Sequence, residues 1–313
     1  MRIISSINTE IVSNIFFVKG LPRVNSFKSL EVGFTNEVYE VNNKYVLKIC
    51  GDKSGEVRFR REAKLYNYFK GILPVPNLIS FDNSKALLQK SFMIYHKIEG
   101  KNLYNVWHTY SDQQKKNLIN QLCDFLRKIN SAPLSDLPKD IGLNGSKNWK
   151  DVVIGKIDKH LETLAKMGTL NKSEKLSIKD FVTKNSSCLE DQKLALVYWD
   201  AHFDNILVDQ DKIIGLLDLE ATEIASIDHA LDVAKRMVDY PKKYMSEYAE
   251  QFAKREDYAH LLDWYREFYP ELFQFKKLNL RLDIYAIEHD LMTLTGWPEV
   301  KSLQKSIINI VNK

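Results

Sequence analysis

The chain has 313 residues, of which 44% are hydrophobic and 27% are charged, and its formal net charge at pH 7 is +4. This is the composition of an ordinary globular protein, and so small a charge, without a basic run, predicts no nucleic-acid partner. The three cysteines are widely spaced, which predicts reduced thiols and neither a disulfide framework nor a zinc site.

Hydropathy and length set further expectations. No stretch approaches the roughly 18 apolar residues that a membrane span needs, so we expect no membrane partner. The N-terminus turns polar at once and lacks a signal-peptide profile, so we expect a cytoplasmic protein, either a monomer or a weak dimer. Because single hydrophobic cores rarely grow past roughly 250 to 300 residues, the length predicts two lobes.

The first predicted element is a β-hairpin. Residues 37–41 alternate in polarity, Asn42-Asn43 is a tight-turn signal, and residues 45–49 return as an apolar strand. A bend that contains Gly33, Thr35 and Asn36 precedes the hairpin. Backbone amides in such a bend could approach a phosphate.

Lys48 in the returning strand and Glu62 in the next predicted helix, residues 56–69, are charged side chains in apolar surroundings. Taken alone, each has an ordinary explanation. A lysine is most often at the surface, and a helical glutamate most often belongs to a solvated face.

Helical periodicity dominates much of the remaining chain. Residues 87–95 are expected to add a strand, and an Asp is expected to cap the helix that begins at Ser111. The predicted helices span residues 111–130, 151–167, 173–186, 227–238, 243–254, 257–268, 279–293 and 299–311.

The central motif is a polar loop between two apolar strands, residues 194–198 and 206–208. A turn at residues 209–212 predicts a second hairpin, which would bring Asn205 and Asp218 nearly opposite each other. With Asp200 these supply three hard oxygen donors, which suit Mg²⁺ and a nucleotide. Asp and Asn are also common turn residues, and the spacing alone does not exclude that simpler explanation.

The motif reads Tyr198-Trp199-Asp200-Ala201-His202-Phe203-Asp204-Asn205, followed by Leu217-Asp218-Leu219-Glu220 and by Asp228-His229-Ala230-Leu231-Asp232-Val233-Ala234. This order resembles the aminoglycoside phosphotransferase and choline kinase family, which shows His-Gly-Asp-x-x-x-x-Asn, Ile-Asp-Trp-Glu and Gly-Asp-Pro-x-x-Asp-Leu-Ala. Tyr198 and Trp199 replace the pattern's His and Gly, and Leu219 replaces an aromatic residue. The resemblance runs from about Leu30 to Ala234.

The resemblance implies an α+β, two-lobe, protein-kinase-like fold. A β-rich N-lobe would comprise residues 1–99, and a mostly helical C-lobe would comprise residues 100–313, with a hinge near Gly100. The implied enzyme is a small-molecule O-phosphotransferase, a kinase that uses Mg²⁺ and ATP or GTP. Aminoglycoside-like activity would connect it with antibiotic resistance.

The resemblance also implies roles for individual residues. Asp200 would be catalytic, and Asn205 and Asp218 would hold Mg²⁺. In kinase-like lobes a strand lysine binds the phosphates and a helix glutamate holds that lysine. The implied nucleotide-binding residues are Gly33, Thr35, Asn36, Lys48 and Glu62, with the backbones of His96 and Ile98.

The acceptor is expected to be cationic because residues 191–300 contain 22 acidic and 12 basic residues, a net charge of −10. Clustered charge of one sign attracts ligands of the opposite sign. The acids expected near the acceptor are Asp204, Glu220, Asp228, Glu288 and Asp290, and the aromatic residues considered for cation–π contacts are Trp199, Trp264 and Tyr265. Taken alone, most such helical acids belong to solvated surface, and such aromatic residues belong more often to the core.

Three other functions compete. A protein kinase is disfavoured because the chain has no His-Arg-Asp, Asp-Phe-Gly or Ala-Pro-Glu sequence. A choline, ethanolamine or sugar kinase of the same family stays open. So does a non-catalytic nucleotide-binding relative, in which Tyr198 and Trp199 spoil the loop.

Overall fold

The computed structural model describes residues 7–30, 36–51, 55–143, 148–242 and 247–313. The chain divides into two compact units, each assembled from three segments. Unit 1 comprises Met1–Val106, Leu137–Gly142 and Phe203–Ala221, and unit 2 comprises Trp107–Asp136, Leu143–His202 and Thr222–Lys313. No helix within the described ranges combines the length and the apolarity that crossing a membrane requires.

Unit 1 contains five strands, β1 (Phe27–Leu30), β2 (Glu37–Val41), β3 (Tyr45–Ile49), β4 (Leu78–Asp82) and β5 (Phe92–His96). They form one antiparallel sheet in the order β1-β2-β3-β5-β4. Asn42 and Asn43 turn between β2 and β3 with φ of 55° each, a conformation that Asn tolerates better than most residues. The predicted first hairpin is therefore confirmed.

The helices of unit 1 are α1 (Thr9–Val18), α2 (Glu56–Tyr68) and α3 (Leu103–Val106). α1 buries Val12, Ile15 and Phe16 in a core shared with the sheet. A smaller antiparallel sheet in the order β6-β8-β9 consists, in chain order, of β6 (Lys101–Asn102), β8 (Ile206–Asp209) and β9 (Lys212–Leu216).

Unit 2 is mostly helical. Its helices are α4 (Asp112–Asn130), α5 (Trp149–Lys166), α6 (Lys172–Asn185), α7 (Leu231–Asp239), α8 (Glu247–Glu250), α9 (Leu261–Phe268), α10 (Leu278–Gly296) and α11 (Lys301–Val311). Two strands, β7 (Leu194–Tyr198) and β10 (Thr222–Ser226), pair antiparallel. α10 packs against α5 and α11, and α4 packs against α9 and β7.

Several helices and strands begin or end at residues other than those predicted from the sequence. The N-cap of α4 is Ser111, not an Asp. The Ser111 side chain accepts a hydrogen bond from the backbone N–H of Gln114, as part of a capping box. Residues 87–91 form no strand, since β5 begins at Phe92, and the helix predicted over residues 243–254 is described only as α8. The sequence prediction also omitted α1, β1, β4 and β10. The boundary near Gly100 stays a prediction, although a glycine suits that position because a Cβ there would lie 2.8 Å from Ile214 Cδ1.

Candidate active site

The second hairpin brings the two residues predicted to hold a metal to one end of a strand pair. β8 and β9 pair antiparallel from Ile206↔Leu216 to Asp209↔Lys212, as the turn signal predicted. The Leu217 amide donates to the Asn205 carbonyl at 2.9 Å. Asp218 therefore follows directly after the residue that pairs with Asn205.

Lys48 lies on β3, a strand whose five residues are all buried. Its Nζ lies 2.9 and 2.7 Å from the carboxylate oxygens of Glu62 on α2, and 3.1 Å from Asp218 Oδ1. Burial alone would lower the pKa of Lys48, but the carboxylates of Asp218 and Glu62 outweigh burial and raise that pKa well above its usual value. Lys48 is therefore a fixed positive charge, and it makes the expected contact with Glu62.

Three carboxylates surround this lysine. Glu62, Asp218 and Glu220 each place an oxygen within 4.8 Å of the other two. Burial, opposed by Lys48 and reinforced by Asp218 and Glu220, raises the pKa of Glu62 to about 7. Burial also raises the pKa of Glu220. When all three carboxylates are ionised, one ammonium leaves an excess of negative charge that a cation would offset, and carboxylate oxygens are the donors that Mg²⁺ prefers. The residues present therefore fit a magnesium ion, and we call this group the lysine cluster.

Glu220 belongs to the lysine cluster, whereas the sequence prediction placed it at the acceptor. Its Oε2 accepts from Asn36 Nδ2 at 3.0 Å. The chain leaves β9 through Asp218, whose φ is 55°, and enters a 3-10 turn at Leu219–Ala221. Strand alternation therefore stops before residue 220 and cannot predict where its side chain lies.

Of the three residues predicted in the bend before the first hairpin, only Asn36 is described by the structure. Gly33 and Thr35 lie outside the described residues. Asn36 Oδ1 accepts from the Gly51 amide at 3.3 Å, so both ends of this side chain are engaged in unit 1. Their roles toward a nucleotide stay predictions.

The predicted adenine contacts, His96 and Ile98, lie at and just beyond the end of β5. The His96 amide donates to the Asn77 carbonyl at 3.1 Å, so a contact of His96 with an adenine edge would use its carbonyl. Ile98 Cδ1 lies 3.1 Å from where a Cβ of Gly215 would stand. Gly215 therefore leaves room for this side chain.

Asp200, the predicted catalytic carboxylate, belongs to unit 2 and lies just beyond the end of β7. Its Oδ1 lies 3.6 Å from His202 Nε2, and its side chain is 26% exposed. A partly exposed carboxylate beside a buried strand has the accessibility that a general base requires.

Trp199 precedes Asp200 and lies among histidines. The centroid of its ring lies 5.7 Å from those of His229 and His289. His289 Nδ1 lies 2.8 Å from Asp232 Oδ2. The family pattern has Gly and Pro where this chain has Trp199 and His229, so two departures from the pattern contact each other.

A second group of buried charges in unit 2 includes His229. Glu223 accepts two hydrogen bonds from Lys156, at 2.9 and 2.7 Å, and its Oε1 lies 3.5 Å from His229 Nδ1. That Nδ1 has no hydrogen-bond partner among the described residues. Glu288 Oε1 lies 4.0 Å from His160 Nε2, and the Glu288 carboxylate accepts no hydrogen bond within the described ranges. We call these five residues the glutamate cluster.

Three members of the glutamate cluster, Glu223, His229 and Glu288, are buried, while Lys156 and His160 are half-buried. Glu288 is 7% exposed and His229 is 3% exposed. Burial, opposed by Lys156 and reinforced by Glu223, raises the pKa of Glu288 to about 7, and burial lowers the pKa of His229. A buried carboxylate that accepts no hydrogen bond is costly in its ionised form, and a nearby cation would lower that cost. Sequence reasoning missed Glu223 and His229. Glu223 lies in the stretch Thr-Glu-Ile-Ala-Ser, which the structure buries as β10 but in which only two of five residues are apolar, so the sequence carried no clear signal of its burial.

Two further acids predicted at the acceptor form buried ion pairs with arginines. Asp228 accepts from Arg281 at 2.6 and 2.8 Å and from the Tyr285 hydroxyl at 3.0 Å. Asp290 pairs with Arg236. Both acids are at most 1% exposed, so their geometry favours a role in holding α10 to the chain that follows β10.

Asp204 and two of the aromatic residues are likewise engaged in structure. Asn102 Nδ2 donates to the Asp204 carboxylate and carbonyl, both at 2.8 Å, which ties the polar loop to β6. Trp264 and Tyr265 are buried on α9. Core packing therefore explains these two rings.

The β-rich unit with its lysine cluster and the helical unit with its partly exposed aspartate define a kinase-type phosphotransferase. A model of the phosphotransferase enzyme family, abbreviated APH, matches residues 26–268. The chain belongs to this family.

Solved aminoglycoside phosphotransferases share the fold. ADP-bound APH(2'')-Ib is 17% identical with a TM-score of 0.70, and 97% of each chain is covered. APH(2'')-IIa with streptomycin and ATP is 17% identical with a TM-score of 0.69, covering 99% of this chain and 98% of that one. A thermostable mutant of APH(4)-Ia is 17% identical with a TM-score of 0.69, covering 97% and 98%. A search of curated proteins found no match. These likenesses confirm the predicted kinase-like fold.

Proposed function

We propose that this phosphotransferase moves the γ-phosphoryl group of ATP or GTP to a hydroxyl of a small cationic molecule. The observation that carries the proposal is the lysine cluster, in which Lys48 lies between Glu62 and Asp218 with Glu220 beside them. An ammonium that is held by carboxylates and buried on a strand is the arrangement that kinase-like lobes use against phosphate.

Asp218 and Glu220, with Asn205 at the same hairpin end, would hold Mg²⁺. Bound there, the ion would neutralise charge on the phosphate oxygens. Lys48 would bind the α- and β-phosphates, and Glu62 would fix the position of its ammonium. The contribution of the lysine cluster to catalysis would be positioning and electrostatic stabilisation.

Asp200 would orient the acceptor hydroxyl and accept its proton. Its exposure and its place after β7 support this role, and His202 at 3.6 Å supplies a polar neighbour. General-base catalysis of this kind contributes roughly 10²- to 10⁴-fold.

The acceptor would carry an amine. Glu288 is buried without a hydrogen bond among the described residues, and an ammonium would supply the missing charge. Structural relatives give separate support: APH(2'')-IIa was solved with gentamicin, and APH(2'')-IIia was solved with GDP and kanamycin. An aminoglycoside-like acceptor is therefore the first candidate.

A choline- or ethanolamine-type acceptor is the second candidate. Trp199 lies with its ring near those of His229 and His289, and aromatic faces attract compact organic cations. Glu288, a single carboxylate that accepts no hydrogen bond from the described residues, also matches a single ammonium.

A coupled ADP- or GDP-release assay tests the proposed function. Mg·ATP and Mg·GTP are each offered with gentamicin, kanamycin, choline, ethanolamine and glucose at low ionic strength, and products are identified by mass spectrometry. We expect acceptor-dependent turnover with at least one amine. Efficient phosphorylation of glucose with all four amines ignored would exclude a cationic acceptor, and absence of nucleotide binding would exclude the kinase activity itself.

A further inference from the structure

The backbone of Asp218 adopts a conformation that needs support. Its φ is 55°, in the left-handed region that residues with a side chain seldom occupy. Such residues persist where the surrounding structure holds them, often at functional sites. The contacts of the peptide around Asp218 therefore show what keeps its carboxylate in the lysine cluster.

One hydroxyl joins this peptide to the lysine cluster. The Asp218 amide donates to the Tyr66 hydroxyl at 3.0 Å, and that hydroxyl donates to Glu62 Oε1 at 2.6 Å. Tyr66 is 1% exposed. Tyr66 and Glu62 are four residues apart on α2 and therefore lie on the same helix face.

The neighbouring peptides are fixed by other groups. Before Asp218, the Leu217 amide donates to the Asn205 carbonyl at 2.9 Å. After it, Arg61 Nη1 donates to the Glu220 carbonyl at 3.0 Å. The Asp218 amide lies between these two attachments, and within the described residues the Tyr66 hydroxyl is its hydrogen-bond partner.

We infer that Tyr66 is a positioning residue for the phosphotransfer reaction. Its hydroxyl holds the left-handed Asp218 peptide so that the carboxylate faces Lys48, and it simultaneously occupies one oxygen of Glu62. Removal of the hydroxyl frees the Asp218 peptide to rotate and leaves Glu62 with one donor fewer. The consequence for metal binding rests on the proposed function, whereas the consequence for the Asp218 peptide does not.

Tyr66→Phe removes the hydroxyl and keeps the ring. Tyr95→Phe is the matched control, because Tyr95 is a buried neighbour whose ring lies 6.0 Å from that of Tyr66 and whose hydroxyl makes no hydrogen bond among the described residues. Titration of Mg²⁺ at fixed ATP should show a half-saturating concentration about 10- to 100-fold higher in Tyr66→Phe, as for other residues that orient a metal ligand. Excess Mg²⁺ should restore turnover, and the KM for the acceptor should not change.

Hydrogen exchange provides a readout that needs neither metal nor nucleotide. The Asp218 amide should exchange at least about tenfold faster in Tyr66→Phe than in the wild-type protein or in Tyr95→Phe, while the Leu217 amide stays protected. Equal protection of the Asp218 amide in Tyr66→Phe would overturn the inference, whether or not nucleotide binds. If the wild-type protein binds Mg·ATP and the Mg²⁺ dependence is the same in Tyr66→Phe, the inference fails while the proposed function stands. If the wild-type protein binds no nucleotide, the proposed function fails, and hydrogen exchange alone decides the role of Tyr66.

Discussion

Buried carboxylates have different partners in the two units. In unit 2, Asp228 meets Arg281 through two hydrogen bonds, and each partner is fully buried. In unit 1, Lys48 contacts Glu62 and Asp218, and Glu220 lies beside these two carboxylates. The first arrangement is balanced in charge and the second is not. Burial of an acid therefore does not by itself identify a functional residue, whereas an uncompensated negative charge favours a site for a cation.

Glu288 extends this comparison within unit 2. It lies on the same helix as Arg281 and Asp290, but among the described residues no arginine forms an ion pair with it. Its ion-pair neighbour is His160, whose Nε2 lies 4.0 Å from Glu288 Oε1. Its excess charge is of the kind seen in the lysine cluster. The five acids named from the sequence thus differ in their partners, and Glu288 is the one that we propose for the acceptor site.

The largest expected effect is on turnover. Asp200→Asn should lower kcat by about 10³-fold or more, because the amide cannot accept the hydroxyl proton, while the affinity for Mg·nucleotide and the stability stay near wild type. Single-turnover phosphotransfer measures the change. Asp180→Asn, at an exposed position on α6, is the control for charge removal. An undiminished rate in Asp200→Asn would mean that the catalytic loop is misassigned.

The second largest effect is expected on stability, from loss of the buried ion pair between Arg281 and Asp228. Arg281→Met leaves the Asp228 carboxylate buried without its cation and should lower the free energy of unfolding by about 3–5 kcal/mol. Arg266→Met breaks an exposed pair with Asp263, whose side chains are 60% and 67% exposed, and should cost at most about 1 kcal/mol. Urea denaturation compares the two variants. Equal losses of unfolding free energy in the two variants would contradict a larger contribution from the buried pair than from the exposed pair.

The Glu288 carboxylate should make the free energy of unfolding depend on pH. The pKa of Glu288 is raised from 4.5 to about 7, so the folded state binds more protons than the unfolded state between these values. Its contribution to stability is therefore full below pH 4.5 and is lost as the pH rises through 7, by about 3 kcal/mol. The difference between wild type and Glu288→Gln isolates this contribution from that of the histidines. A difference that does not vary between pH 5 and 8 would contradict the raised pKa.

Acceptor binding should change least. Glu288→Gln should raise the KM for a cationic acceptor about tenfold, because a charge-assisted contact is lost, and should leave the KM for nucleotide unchanged. Asp283→Asn is the matched control, since Asp283 is on the same helix and pairs with Lys313 at 2.8 Å. Steady-state kinetics with ethanolamine and gentamicin test this prediction, and equal KM values for the two variants would exclude Glu288 from the acceptor site.

Local patterns predicted the parts of the site that local structure determines. The two hairpins follow from their turn residues. The contact between Lys48 and Glu62 was implied by the family resemblance, since each residue taken alone has an ordinary explanation. The positions of Asp228 and Asp290 depend on arginines 53 and 54 residues away in the chain, which no local pattern connects. Glu220 could not be placed because the chain leaves its strand at the left-handed Asp218.

Calorimetric titration of Mg·ATP and Mg·GTP into wild type and Asp218→Ala tests the central claim, that the excess charge of the lysine cluster binds metal and nucleotide. Asp209→Ala, at an exposed position on the same hairpin, is the matched control. We expect Mg²⁺-dependent binding in the wild type and in Asp209→Ala, and its loss in a folded Asp218→Ala protein. Unchanged binding of Mg·nucleotide by folded Asp218→Ala would contradict the account.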